Sequence, residues 1–441
     1  MFINADREYR EGKAQNHLRP EDIDKIVHVF RAGQDVPAYA RRVPYAEILA
    51  EDANCNIRRY VDNAPPPEPH DVRAHLHGGV PVVEVGALAH FWANYPGLRE
   101  SCFVPRAEVK GAAGAYVDFS AALADKRAIA AHVAQHPGVQ QRHADFIAQL
   151  RGWWQQHLPV IDALAPDAAN QHASARNVYA LRATLLKGIE RTFVPDAGAV
   201  GDLGAAPLLT RYQVRGAFAN FYQQLSADFK SIAASGWGAE LIPDDDILQS
   251  EFPQVLAELE QQHARLAELQ ALFAAAGEED FDDADATGVL PPEQVKDLKA
   301  QLKEAKGLAK LAKRDTSFGD ATALLAQALR VEALLLQHKV LEDEAKGLKA
   351  LIKGTQKRRD ELVEMARQKI SPVVARQVIL MRLEAVLVAS YQQYLRADQR
   401  ACVAAVENLW GKYAVTAREL EGARERASAE LSEYLAELGY E

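Results

Sequence analysis

Phe2-Ile3-Asn4-Ala5-Asp6, Glu11-Gly12-Lys13-Ala14-Gln15-Asn16-His17-Leu18, Arg19-Pro20-Glu21-Asp22-Ile23 and Asn54-Cys55-Asn56-Ile57-Arg58-Arg59-Tyr60-Val61 succeed one another at the start of this 441-residue chain. The first is a short apolar strand with an abrupt polar exit, and the second is a Gly/Asn-rich loop. The third opens a helix. Ile23, Ile26, Val27 and Phe30 recur at i, i+3, i+4 and i+7, which predicts one apolar helix face over about Pro20 to Arg31. Pro20 suits the first helical position, and Glu21 and Asp22 suit the positive end of the helix dipole. The fourth run reads as a second strand. Two strands and one helix cannot bury themselves, so this segment needs an upstream sheet or a helical body behind it.

Working outward, Asp62-Asn63-Ala64-Pro65-Pro66-Pro67-Glu68-Pro69-His70-Asp71 is a polyproline-prone connector and the clearest boundary in the chain. Asp71 to Pro81 reads as a short helix stopped by Gly78-Gly79. Helical periodicity then dominates from Glu84 to Leu164 and from Asn177 to Thr192. A loose Gly/Ala loop (195–207) precedes a helix carrying Val214, Phe218, Phe221 and Tyr222, and another helix spans Phe252 to Ala276. After the acidic run Glu278 to Asp285, helix continues to the end, with interruptions expected at Gly319, Gly347, Gly354, Pro372 and Gly411. Leu298, Leu302, Ala305, Ala309 and Ala312 repeat four-three-four-three, a seam narrow enough for a coiled-coil partner. Ser371-Pro372 is an N-cap and N1 pair that starts a final long helix running through Leu409, Leu420, Leu431 and Leu435. The predicted fold is mainly α. It comprises a small α/β segment at 1–63, a helical domain at 64–250, and a long-helix, coiled-coil-like arm at 251–441.

Composition is that of an ordinary globular protein, 48% hydrophobic and 25% charged. Cys55, Cys102 and Cys402 lie far apart without a C-x-x-C or zinc-ligand spacing, so neither a disulfide framework nor a metal site is indicated. With no signal-peptide core and no 18-residue apolar run, a cytoplasmic location without membrane contact is expected. The net charge of −10 argues against wholesale DNA binding. Lys296 to Lys369 is the exception, with 17 basic against 11 acidic residues.

The ordered pieces of the first sixty residues resemble the end of the methylase domain in the modification (M) subunit of type I restriction-modification systems, the adenine-N6 DNA methyltransferases. Resemblance continues at Asp71 to Gly79, Arg215-Gly216-Ala217-Phe218-Ala219-Asn220 and Gly236-Trp237-Gly238-Ala239-Glu240-Leu241-Ile242-Pro243. It implies S-adenosylmethionine as methyl donor for the complete methylase. It also implies a multisubunit assembly with a specificity subunit, a catalytic half, a restriction subunit in the larger complex, and DNA. Such an enzyme needs a glycine-rich strand-to-helix turn for the cofactor and an Asn/Asp-Pro-Pro-aromatic loop that grips a flipped adenine. Neither is found here: Asn63-Ala64-Pro65-Pro66-Pro67 lacks the aromatic, and Gly198, Gly201 and Gly204 sit in an irregular loop. The chain therefore looks like the C-terminal part of the M subunit, supplying DNA clamping and specificity-subunit docking rather than catalysis. No catalytic, cofactor-binding or metal residue is assigned. The competing class is a helical scaffold with no role in DNA modification.

Candidate DNA contacts are Lys13, Asn16, Asn56, Arg58 and Arg59, together with Lys299, Lys303, Lys306, Lys310 and Lys313 one residue past the seam. Each has an ordinary reading beside it. The asparagines can bond their own turns, the adjacent arginines point to opposite faces of a strand, and the lysines can be a solvated helix flank. Leu298, Leu302, Leu420, Leu431 and Leu435 are the candidate docking residues. His75 and His77 lack a third ligand, and Asp283-x-Asp285-x-Thr287-Gly288 has Gln294 where a calcium loop needs Glu. Trp153-Trp154 and the Phe218, Phe221, Tyr222 stripe are expected in the core.

Overall fold

β1 (Phe2–Ile3) pairs antiparallel with β2 (Ala40–Arg41), Phe2 opposite Arg41 and Ile3 opposite Ala40. The computed structural model describes residues 1–106, 114–166, 177–194, 207–276, 287–314 and 320–439. The expected loop at 195–207, apart from Pro207, the acidic run and Gly198, Gly201 and Gly204 lie outside the described residues. Between the two strands runs α1 (Pro20–Ala32), and after them come α2 (Tyr45–Ala50) and α3 (Ile57–Tyr60). The last corrects the strand expected at Asn54 to Val61, and the cause is local. Asn54 Oδ1 accepts from Asn56 N at 2.9 Å and Asn56 Oδ1 from Arg58 N at 3.2 Å, and these side-chain bonds curl the backbone into a turn of helix. Buried Asn4 then ties the pieces together. Its backbone N donates to Tyr39 O at 2.8 Å and its Nδ2 to Val61 O at 3.1 Å.

The α1 helix begins where expected, but its apolar stripe is split. Ile26 and Val29 pack with Ile3, Val36, Tyr39 and Ala40 in a small core. Ile23, Val27 and Phe30 remain 49%, 39% and 65% exposed. Burial goes instead to the acidic side of the helix, for reasons given below.

The chain forms two compact units, Met1–Gly236 with Leu380–Glu441, and Trp237–Ile379. The first continues with α4 (Val72–His77), which stops at Gly78 and Gly79, both at positive φ as the Gly-Gly signal predicts. A three-stranded antiparallel sheet of order β3-β5-β4 follows, from β3 (Val80–Pro81), β4 (Phe103–Pro105) and β5 (Tyr116–Phe119). Its helices are α5 (Val82–Ala87), α6 (Ala89–Asn94), α7 (Leu98–Cys102), α8 (Lys126–Gln135), α9 (Pro137–Asp162), α10 (Val178–Phe193), α11 (Arg211–Gln224) and α12 (Ser226–Ser235). Trp153, Trp154, Phe218 and Phe221 are buried as expected, Trp154 meeting Phe221 edge to face at 6.3 Å.

The second unit holds a 3-10 turn (Ala239–Leu241), α13 (Asp244–Glu251), α14 (Pro253–Ala275), α15 (Pro292–Ala312) and α16 (Ala321–Lys369). The Leu298 to Ala312 seam lies on α15. It is covered by α16 of the same unit, and Ala305, Ala309 and Ala312 are buried. Small seam residues allow the two helix axes to approach closely. Val255 and Leu259 of α14 pack on Ile352 of α16, and buried Gln262 donates to Thr355 Oγ1 at 3.2 Å. Gly347 and Gly354 do not break α16. A glycine costs a helix about 1 kcal/mol, which this packing outweighs.

From Pro372 the chain forms α17 (Pro372–Tyr413), whose residues from Leu380 onward belong to the first unit, and then α18 (Ala417–Glu437). The single final helix expected from sequence is thus interrupted. Thr416 caps α18, accepting from Glu419 N at 3.1 Å while its own N donates to Glu419 Oε2 at 2.8 Å, a reciprocal cap that starts a new helix. Tyr391 of α17 lies in the aromatic core and donates to Val214 O at 2.9 Å. The Pro-rich connector is held along the end of this helix. Asn408 donates to Glu68 Oε1 at 2.8 Å, Lys412 Nζ to Pro69 O at 2.6 Å, and Asp71 N to Tyr413 Oη at 3.2 Å. Both flanks of the connector lie in the first unit. No helix among the described residues is long and apolar enough to cross a membrane.

Two predictions follow from this packing. Replacing Ala305 and Ala309 by Asp puts two carboxylates into the α15–α16 seam, and the expected result is roughly 3 kcal/mol or more of destabilisation, read as lost helical ellipticity. The second concerns pH. Burial lowers the His132 and His143 values below the ordinary histidine range. Their contribution to stability is therefore present above the unfolded pKa, about 6.5, and is lost as pH falls through the folded values. A melting-temperature profile should drop on acidification through this window, and His132→Gln with His143→Gln should flatten it.

Candidate functional site

Glu21 and Asp22 begin α1 and are 8% and 2% exposed, a rare state for carboxylates. Sequence places them there for the helix dipole, and the structure adds partners. Arg19 Nε donates to Asp22 Oδ2 at 2.9 Å and its Nη2 to Asp22 Oδ1 at 2.8 Å, while Arg19 Nε lies 3.2 Å from Glu21 Oε1. Tyr394 of α17 donates its hydroxyl to Glu21 Oε2 at 2.6 Å and accepts from Asn220 Nδ2 of α11 at 3.1 Å. Burial, then the bond to Glu21, pushes the Tyr394 phenol well above its ordinary range, so it stays a donor. One turn on, Asp24 meets Arg215 Nε at 2.8 Å, and Arg215 Nη1 reaches Glu190 of α10 at 2.5 Å.

The acidic side of α1 is thereby locked onto α11 and α17. Gly216 makes the approach possible. A Cβ there would stand 2.8 Å from Glu21 Oε2 and 2.9 Å from both Glu21 Cβ and Tyr394 Oη. The Arg215-Gly216 pair in the sequence thus has a physical role on each residue: one supplies the cation, the other the clearance.

Two grooves flank this lock. One, of about 800 Å³, is lined by Arg10, His17, Arg19, Gln213, Gln393 and Arg400 among others. Arg10 and His17 pin the base of the Gly12 loop through paired backbone bonds of 2.8 and 2.9 Å. Lys13 and Asn16 stand exposed on that loop. The other groove, of about 550 Å³, lies among α1, α10 and α11 and has Phe218 and Tyr222 in its lining, with Ile23, Val27, Arg31 and Arg182.

The remaining candidate residues are scattered. Asn56 caps α3, as its ordinary reading has it. Arg58 pairs with Asp6 at 2.8 Å and Arg59 with Glu51, on a helical turn rather than the expected strand. Asn63 and then Arg58 hold the Asp6 carboxyl below its usual range. Lys299, Lys303, Lys306, Lys310 and Lys313 are all exposed on α15, and Lys306 bonds Glu332 at 2.9 Å. Leu298 and Leu302 are half-buried, whereas Leu420, Leu431 and Leu435 are exposed on α18. A further stripe was not read from sequence. Leu325, Leu329, Leu336 and Val340 are all exposed on α16. Their spacing of four, seven and four puts them within an arc of about 60° at 100° per residue. The signal was present but was masked by the stronger seam on α15. Arg10, Arg31, Arg182 and Arg400 are isolated in sequence, so only the fold assembles them. No cluster of His, Cys, Asp or Glu that could hold a metal occurs among the described residues.

Residues 1–68 match the family model for N-6 DNA methylase. The methylase subunit of the MjaVII type I restriction enzyme from Methanocaldococcus jannaschii is 37% identical over 79 residues, covering 17% of this chain and 14% of that relative. The match therefore spans a small part of the relative's length. No solved structure matches the chain.

The lock makes its own prediction. Gly216→Ala should destabilise by about 1–3 kcal/mol through overpacking. Tyr394→Phe should cost about 1–3 kcal/mol by leaving a buried carboxylate short of a donor. Denaturant titrations of each variant check both values.

Proposed function

We propose that this chain, which through its residues 1–68 belongs to the N-6 DNA methylase family, is the C-terminal part of a type I restriction-modification methylase subunit. In this reading it holds DNA and joins subunits, while a catalytic half performs adenine-N6 methylation. The observation that carries the reading is that the matched segment is locked by Glu21, Asp24, Arg215 and Tyr394 onto a helical unit. A platform of that kind suits a part that positions rather than reacts.

S-adenosylmethionine would supply the methyl group, but the residues here do not fit it. The matched α/β segment has only two two-residue strands. The nearest text match to the base-gripping loop, Asn63 to Pro67, belongs to the connector fastened by Asn408 and Lys412. No step of methyl transfer is therefore derived through this chain.

DNA contact in this reading falls to Lys13 and Asn16 on the exposed loop and to the α15 lysines, of which Lys306 shares its charge with Glu332. Arg58 and Arg59 would first have to leave Asp6 and Glu51. The specificity subunit, if built on long helices, would cover the Leu325, Leu329, Leu336 and Val340 stripe rather than Leu298 and Leu302, which face α16. Burying each such side chain stabilises by roughly 1.5–3 kcal/mol.

The test is reconstitution. The chain alone is expected neither to bind S-adenosylmethionine nor to methylate DNA, and methylation should appear when a catalytic half and a specificity subunit are co-expressed with it. Leu329→Asp with Leu336→Asp should lose the specificity subunit from the purified complex while keeping the catalytic half. Micromolar cofactor binding by the isolated chain, measured by calorimetry, would overturn the division of labour.

A further inference from the structure

Two exposed surfaces of the first unit have complementary chemistry. The first is the distal part of α18. Every residue from Ala423 to Gly439 is exposed. Leu431, Tyr434, Leu435 and Leu438 recur at i, i+3, i+4 and i+7, all 41% or more exposed, and form one apolar stripe. Glu430 and Glu437 run beside it on one flank, Glu433 lies on the opposite face, and no basic residue occurs between Ala427 and Gly439. The start of this helix packs on α4 of its own chain. Among the described residues its distal turns have nothing to bury their stripe against, and a short helix without tertiary packing is marginal in water.

The second surface is the groove of about 550 Å³ among α1, α10 and α11. Its apolar lining comes from Ile23, Val27, Leu186 and Phe218, of which Ile23 and Val27 are the helix face left uncovered in the fold. Its charged lining is Asp24, Arg31, Arg182 and Arg215. Asp24 is consumed by Arg215, which also meets Glu190. Arg31 has no carboxylate partner among the described residues. Arg182 lies over the Tyr222 ring, 5.8 Å from its centroid. The groove thus offers apolar surface with two arginines to spare, where the helix offers an apolar stripe flanked by two carboxylates.

We infer that the distal half of α18 from one copy of this chain docks in the α1–α10–α11 groove of a second copy, with Leu431, Tyr434 and Leu435 against Ile23 and Val27, and Glu430 and Glu437 toward Arg31 and Arg182. Reciprocal exchange of the two helices gives a closed dimer. This surface is distinct from the α16 stripe, and the inference makes no use of the methylase assignment.

Light scattering coupled to size exclusion, and sedimentation velocity, on the full 441-residue chain test it. The expected result is a concentration-dependent dimer that weakens as salt rises. Leu431→Asp with Leu435→Asp should weaken self-association by about a hundredfold or more, as for loss of a buried hot-spot pair, with unchanged circular dichroism. Arg31→Glu with Arg182→Glu should do the same. Adding Glu430→Arg and Glu437→Arg to that second variant should restore the dimer. A wild-type chain that stays monomeric at the highest soluble concentration overturns the inference. So does a dimer that survives the α18 changes, or a charge reversal that removes duplex DNA binding while leaving the dimer intact.

Discussion

A buried carboxylate governs how the first unit is put together. Glu21 cannot be taken out of water without donors, and the donors come from three places: Arg19 beside it, Tyr394 on α17, and Asn220 acting through Tyr394. Removing one partner from such a cluster leaves a charge without compensation, which is far costlier than loss of an exposed ion pair. The geometry is accordingly narrow. It requires a residue without a side chain at 216, and it turns α1 so that its acidic side faces inward and part of its apolar stripe faces out. A polar contact has here overridden the rule that apolar faces go inside.

The second unit follows a simpler rule. Its α15 and α16 helices meet along a Leu/Ala seam, and small residues at the closest approach permit tight packing without any buried charge. Gln262 and Thr355 are the exceptions: Gln262 donates to Thr355, both bond Glu258, and Gln262 Oε1 is left without a partner among the described residues. Ion pairs on this unit, such as Arg265 with Glu344 at 2.8 Å, lie at the surface, where each contributes little. The first unit is specified by polar geometry, the second by periodicity.

That difference explains what could be read from the chain. The mainly α class, the start of α1 at Pro20, the Gly-Gly stop after His77 and the helix start at Pro372 were legible because each depends on a local signal. The α3 turn was misread because Asn54 and Asn56 outweigh the strand-like pattern around them, and the break at Thr416 was passed over although Thr416 and Glu419 spell a capping box. The direction of the α1 stripe was not readable at all. It depends on Asn220, Gly216 and Tyr394, which lie far along the sequence and carry no pattern that points to α1. The same is true of the arginines around the grooves, which no local spacing groups.

The bond between Glu21 and Tyr394 joins residues separated by 373 positions, and Tyr95 reaches Asp398 across 303. During synthesis the ribosome makes the carboxylate long before its donor. Until α17 leaves the exit tunnel, the nascent first unit holds Glu21 without its Tyr394 donor and its aromatic core without Tyr391, whereas the α15–α16 hairpin is complete as soon as residue 369 is out. The later-encoded hairpin can therefore fold while the earlier-encoded unit still waits. Contacts this distant in sequence make closure slow, because much of the chain's freedom must be given up before they form. Protection of the nascent chain matters most during that interval, which ends when α17, as far as Tyr413, has left the tunnel.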